Sequence, residues 1–192
     1  MTSTIIITIC IWIIFWIYWI ISALRTRIKV KKEVAGQKSV QRFVHLFLVV
    51  ISYFITFYKF NNNFFWNRII PANLLVDDIG LVILILSLSF GIWARNVLGR
   101  NWSGAIQKVE GQRLITHGPY KYIRNPIYTA IVCGFCGTFL VLGRFSSLIG
   151  LLIITITYVI KIRNEQKFLL LEFEEEYSNY IKKSWALIPF IF

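Results

Sequence analysis

Acidic residues are scarce in this 192-residue chain: nine Asp and Glu stand against 21 Lys and Arg, a net charge of +12, which excludes an acidic tail. Charge of either sign is thin, at 16% of residues against 57% hydrophobic, so a disordered chain is excluded as well. Three cysteines cannot build the disulfide framework of a small secreted domain. Two histidines, His45 and His117, are too few and too far apart for a zinc site, and no metal is expected. No Gly-x-Gly-x-x-Gly follows a strand-like run and no strand–helix alternation appears, so a Rossmann fold has no support.

What the chain has is long apolar stretches and a mean hydropathy of +0.64, the signature of a membrane protein. The basic residues lie between those stretches, not on one soluble face, so nucleic acid is not an expected partner. Ile5 to Leu24 runs 20 residues without a charge, enough to cross the hydrocarbon core. No basic segment precedes it and Arg25, Arg27, Lys29, Lys31 and Lys32 follow, so it reads as a span and not a cleaved signal. Phe43 to Phe60, Ile79 to Ala94, Pro126 to Gly143 and Phe145 to Ile160 are further runs of 16 to 18 residues. Five spans in one all-helical membrane domain are expected, with 1–94 as a three-span part and 95–192 carrying the motifs. The last two runs meet at Gly143 and Arg144, which predicts a helical hairpin with Arg144 reaching for head groups at its tip.

Lys and Arg number seven in 25–42, six in 95–125 and five in 161–192, but two in 59–73 and one at 144. Under the positive-inside rule the N-terminus lies outside and the C-terminus in the cytoplasm. Trp12, Trp16, Trp19, Tyr58, Phe64, Phe65, Trp66, Trp93 and Trp102 crowd the boundaries, as interfacial anchors do. Asn61 to Asn63 reads as a solvated turn, and Asp77 and Asp78 as acidic caps on the third helix. Cys133 and Cys136 have redox-motif spacing but sit inside an apolar span, so they read as packing residues, as does Cys10.

Polar chemistry gathers in the 95–125 loop and the tail. Pro126 pushes Asn125 out of helical geometry, which makes Asn125 an N-cap and Pro126 the first helical residue. The helix N-terminus, with Arg124 beside it, predicts an anion site. Arg124 on a lipid phosphate, with Asn125 merely capping, satisfies the same pattern. In the tail, Glu165, Leu169, Phe173, Tyr177 and Tyr180 recur at helical spacing, with Lys161 one turn before Glu165. A carboxylate at the membrane boundary is costly without a partner, so Glu165 is a site candidate; a plain Lys161–Glu165 surface pair is the other reading. Glu172, Glu174, Glu175 and Glu176 read as a solvated face.

Leu114, Gly118-x-Tyr120, Arg124-Asn125-Pro126-x-Tyr128, the Glu165-to-Tyr180 stripe and a final Leu187-Ile188-Pro189 together resemble the isoprenylcysteine carboxyl methyltransferase family, to which phospholipid N-methyltransferases are related. The resemblance implies an integral membrane enzyme that uses S-adenosylmethionine. By position it assigns Gln107, Gln112, Leu114, Ile115, Tyr120, Arg124, Asn125, Pro126, Tyr128 and Glu165 to the cofactor pocket. It places Lys161 where the family has an Arg that orients the substrate carboxylate, and so makes Lys161 and Glu165 the catalytic candidates. Asn125 stands where eukaryotic members have His, Gln166 where a second Glu is usual, Glu174 where Gly is usual, and Ala186 where a basic residue is frequent. The implied acceptor is a membrane lipid: a prenylated cysteine carboxylate or similar isoprenoid acid, or else a phospholipid amine. For an amine, Glu165 or Tyr128 is the candidate base. An NADPH-dependent sterol or enone reductase and a lipid-binding scaffold without catalysis are the rival classes. His45 is expected to snorkel at the boundary and His117 to be structural or to touch cofactor.

Overall fold

The computed structural model of the chain describes residues 2–25, 39–60, 63–102 and 114–190. Five helices follow in order: α1 Thr2–Arg25, α2 Ser39–Phe57, α3 Leu74–Leu98, α4 Pro126–Leu142 and α5 Phe145–Ile181, with short 3-10 turns at Gly99–Asn101 and Gly118–Lys121. Among the described residues there is no strand, only two isolated bridges. The expected all-helical membrane fold is what the chain adopts. Four helices, α1, α2, α3 and α5, are long and apolar enough to cross a bilayer. The 17 residues of α4 lie at the short limit for crossing one.

Two helices outrun their sequence-based bounds. α5 continues for 37 residues to Ile181, so the tail stripe extends the fifth span. α3 begins at Leu74, because Asn73 caps it by accepting from the Leu75 N–H at 2.9 Å. Asp77 does lie in the first turn of α3, where its charge suits the helix N-terminus, but the cap itself is Asn73. Asp77 is 3% exposed and pairs with the Arg68 guanidinium at 3.3 Å. Arg68 also donates to the carbonyls of Ile70 and Val141, which fastens the 63–73 loop over the end of α4.

The hairpin between α4 and α5 turns at Gly143, whose φ of 59° is left-handed and whose N–H reaches the Phe139 carbonyl at 2.7 Å. Arg144 does not extend from that tip. The N–H groups of Ile69 and Ile70 bond the Gly143 carbonyl and Ser146 bonds Phe65, so the folded-over loop leaves Arg144 half-buried, with one guanidinium nitrogen enclosed. Asn63 turns the chain, its carbonyl accepting from Trp66 and Asn67; Asn61 and Asn62 lie outside the described residues.

Small residues let the helices approach closely. A Cβ on Gly137 would stand 2.5 Å from the Gly80 carbonyl oxygen, so α3 and α4 meet nearly backbone to backbone. Trp12, Phe15, Leu84, Leu88, Phe135 and Ile154 fill the centre, and the Trp12 indole donates to Thr138 at 2.9 Å. Cys133 and Cys136 are half-buried in α4, while Cys10 is exposed. Ile13, Ile17, Val50, Leu86 and Ile156 are outward and more than half exposed, as side chains facing lipid are. Arg95 at the end of α3 donates to Ser22 of α1 at 3.3 Å, and His45 of α2 packs edge-on to Tyr158 of α5 at 5.7 Å. The helix ends next to the three cation-rich segments thus gather on the side of the tail.

Candidate active site

The start of α4 is laid out as its sequence predicts, with Asn125 at the N-cap and Pro126 in the first turn. What these residues hold is different. The Asn125 side chain makes no cap bond; its amide donates to the Ala186 carbonyl at 2.8 Å. Thr129 donates to the Leu187 carbonyl at 2.6 Å. The Arg124 N–H bonds the Trp185 carbonyl at 2.8 Å, and the Trp185 N–H bonds the Tyr122 carbonyl at 2.9 Å. The last residues therefore form a strap across the mouth of α4.

Arg124 belongs to that strap. Its guanidinium donates to the Ile181 carbonyl at 3.1 Å and to the carbonyl and hydroxyl of Ser184. The carbonyls ending a helix have no partners of their own and attract a cation, so Arg124 closes α5. The side chains of Arg124 and Asn125, expected to flank an anion at the α4 N-terminus, here bond the C-terminal strap.

One turn into α4 lies the central arrangement. The Tyr128 hydroxyl donates to Glu165 of α5, 2.9 and 3.0 Å from the two carboxylate oxygens. Tyr158 stacks on the Tyr128 ring at 4.6 Å and 18°. The Lys161 ammonium lies 5.5 Å from the centre of the same ring. Lys161 is 8% exposed, too enclosed for a surface ion pair. Tyr128 and Glu165 are half-buried.

Tyr120, 6% exposed, approaches from the 3-10 turn. Its carbonyl accepts from the Tyr180 hydroxyl at 2.5 Å, while its own hydroxyl is buried with no hydrogen-bond partner among the described residues. Burial pushes that phenol well above its ordinary range, Tyr180 and Glu165 adding to the shift and Arg95 opposing it. Leu114 is half-buried, and Ile115 packs on the cluster that contains Tyr120. Pro126 is buried. Gln107 and Gln112 lie outside the described residues.

The tail stripe is helical but not continuous: α5 kinks at Glu174, with φ 41°. Beyond the kink Tyr177 and Tyr180 are buried, their rings 6.0 Å apart. Glu174, Glu175 and Glu176 are exposed and Glu172 is half-buried. His117 is exposed, and its backbone carbonyl accepts from the Tyr120 N–H at 3.2 Å. His45 does not snorkel; it faces Tyr158. Sequence reasoning missed His45 and Tyr158 at this site, although Tyr158 stands one helical turn before Lys161 and two before Glu165.

The phospholipid methyltransferase family model matches residues 77–176, a stretch that holds Tyr120, Tyr128, Tyr158, Lys161 and Glu165. The chain belongs to the phospholipid methyltransferase family. A similar fold is found in the structure of the eukaryotic intramembrane Ras methyltransferase, isoprenylcysteine carboxyl methyltransferase, without a monobody, at 24% identity over 81% of this chain and with a TM-score of 0.56. The chain spans about half of that protein, covering 54% of it. No curated protein matches in sequence. At this identity the likeness concerns the fold, and in this phospholipid methyltransferase family member the roles of individual residues rest on their own geometry.

Proposed function

We propose that this protein transfers a methyl group from S-adenosylmethionine to a lipid-like acceptor, most directly the carboxylate of a prenylated cysteine or a similar isoprenoid acid. The observation that carries this reading is Glu165 held by Tyr128, with buried Lys161 one turn away, inside the segment that matches the family. The surroundings suit the cofactor. The enclosed Tyr120 hydroxyl has no hydrogen-bond partner among the described residues, and a bound ligand would supply one. Glu165 offers carboxylate lone pairs to amino or ribose donors, and the Tyr128–Tyr158 stack offers an aromatic wall to the adenine.

When bound, S-adenosylmethionine supplies a methyl group on a sulfonium leaving group. The chain's own residues hold and orient. Tyr128 fixes the Glu165 carboxylate. Lys161 places a cation beside Glu165 and the Tyr128 ring, at a depth where an acceptor carboxylate would be costly without one, although its ammonium lacks the two-pronged geometry of Arg. A carboxylate is already a nucleophile and needs no base, so positioning supplies the rate. The buried position of Lys161 favours this acceptor over a phospholipid amine, which carries positive charge before it reacts. The side that gathers the cation-rich segments faces the cytoplasm in this reading, with the N-terminus outside.

The test is calorimetric binding of S-adenosylmethionine and, separately, NADPH to the detergent-purified chain and to its Glu165→Ala and Tyr120→Phe variants. Binding of S-adenosylmethionine that Glu165→Ala abolishes and Tyr120→Phe weakens supports the reading. Folded protein that binds NADPH instead is a reductase, and folded protein that binds neither is a scaffold; either result overturns it.

A further inference from the structure

A groove of about 960 Å³ runs between α1 and the end of α3. Its lining shares no residue with the Tyr128–Glu165 arrangement, and only Arg95 reaches toward that side, where its charge acts on Tyr120. One wall is a stripe on α1, where Ile14, Ile17, Ile21 and Arg25 recur at helical spacing. From Ile14 to Arg25 the stripe covers about 16 Å, and its chemistry changes along that length. The Ile14 end is hydrocarbon, and Ile14 and Ile17 are 64% and 52% exposed.

The other end is polar and cationic. The Tyr18 hydroxyl donates to the Asn96 side-chain oxygen at 2.5 Å, which joins the two walls. Ser22, Asn96 and Arg25 stand around the mouth, with Arg95 behind them bonded to the carbonyls of Ser22 and Gly99. Among the described residues no acidic side chain lines the groove. A soluble anion would leave the isoleucine half bare, and a plain hydrocarbon would leave the Arg25 guanidinium without an anion. A molecule with a phosphate at one end and an acyl chain at the other satisfies both halves.

We propose that this groove seats a membrane phospholipid, its phosphate at Arg25 and one acyl chain along Ile21, Ile17 and Ile14. The lipid belongs to the leaflet on the tail side of the bundle, and its seat is separate from the pocket beside Glu165.

The test is native mass spectrometry of the full chain in detergent, supplemented with phosphatidylglycerol or with diacylglycerol of the same chains. One retained phosphatidylglycerol, with diacylglycerol lost, is the expected result. Arg25→Gln lowers retention about fivefold, the weight of one cation near a lipid phosphate. Ile17→Trp fills the groove from an exposed position and removes retention, whereas Ile156→Trp, on the lipid face of α5, leaves it unchanged. Equal retention of diacylglycerol overturns the phosphate contact. Retention that survives Ile17→Trp, or falls equally in Ile156→Trp, overturns the site.

Discussion

Tyr128 and Glu165 stand 37 residues apart in the chain and meet across the α4–α5 contact, the phenol 2.9 and 3.0 Å from the two carboxylate oxygens. One hydroxyl proton serves two acceptor oxygens, so the carboxylate is fixed in place yet keeps lone pairs for a ligand. Its position on a kinked helix, beside a stacked pair of tyrosines, makes it a fixed acceptor.

Tyr128→Phe removes that proton and keeps the ring on Tyr158. We expect S-adenosylmethionine affinity to fall about tenfold, the loss of one hydrogen bond to a charged group, while the thermal melt changes little. Calorimetry and a melt on the same preparation check it. A Kd equal to the wild type's would show that Tyr128 plays no part in holding Glu165 for the cofactor.

On the opposite side of the bundle, Asp77 is nearly fully buried against Arg68. Asp77→Ala leaves the guanidinium its Ile70 and Val141 carbonyls but takes away its counter-charge. The expected cost is about 2 kcal/mol of stability, read as a lower melting temperature in detergent. Cofactor affinity should be retained, since this pair lies at the far end of the hairpin from Glu165.

Arg124 and Asn125 hold the C-terminal strap by bonds to Ile181, Ser184 and Ala186. Arg124→Ala is therefore expected to free the exposed Lys182 and Lys183, and trypsin should cut there at least several times faster than in the wild type. Arg124→Lys, which keeps one cation near the end of α5, should show partial protection. Equal cleavage of all three proteins would mean that the strap is held by its backbone bonds alone.

The spans were legible because a bilayer demands long apolar runs, and the hairpin because Gly143 alone can turn left-handed between two of them. The start of α4 was legible for the same local reason, since Pro126 admits few conformations. Partners distant in sequence were not legible. Nothing in the spacing of Arg124-Asn125-Pro126 says that their polar atoms turn to residues 181–186, so the helix boundary was legible and the partners of its side chains were not. Asp77 was correctly placed at the start of a helix, where its neighbours were visible, but its partner Arg68, across a loop, was not. Glu165 was found because a carboxylate at a membrane boundary is expensive wherever it points, whereas His45 carried no such signal.

Glu174 offers the sharpest test of a departure visible in the sequence. In the family that this chain resembles glycine is usual there, and here the backbone takes φ 41° and ψ −112°, a conformation that glycine adopts freely and other residues do not. The kink turns the chain so that Tyr180 reaches the Tyr120 carbonyl, so the strain serves the site. Glu174→Gly should relieve it, raising stability by about 1 kcal/mol after allowance for the looser unfolded chain. Glu174→Ala keeps the steric problem and removes only the exposed carboxylate, so its melting temperature should stay close to the wild type's. Glu174→Val, with a branched Cβ, should melt lower. The order Gly above Glu and Ala, with Val last, follows from backbone strain; a glycine variant that melts below the wild type would mean that the kink is held by contacts and not resisted by the residue that makes it.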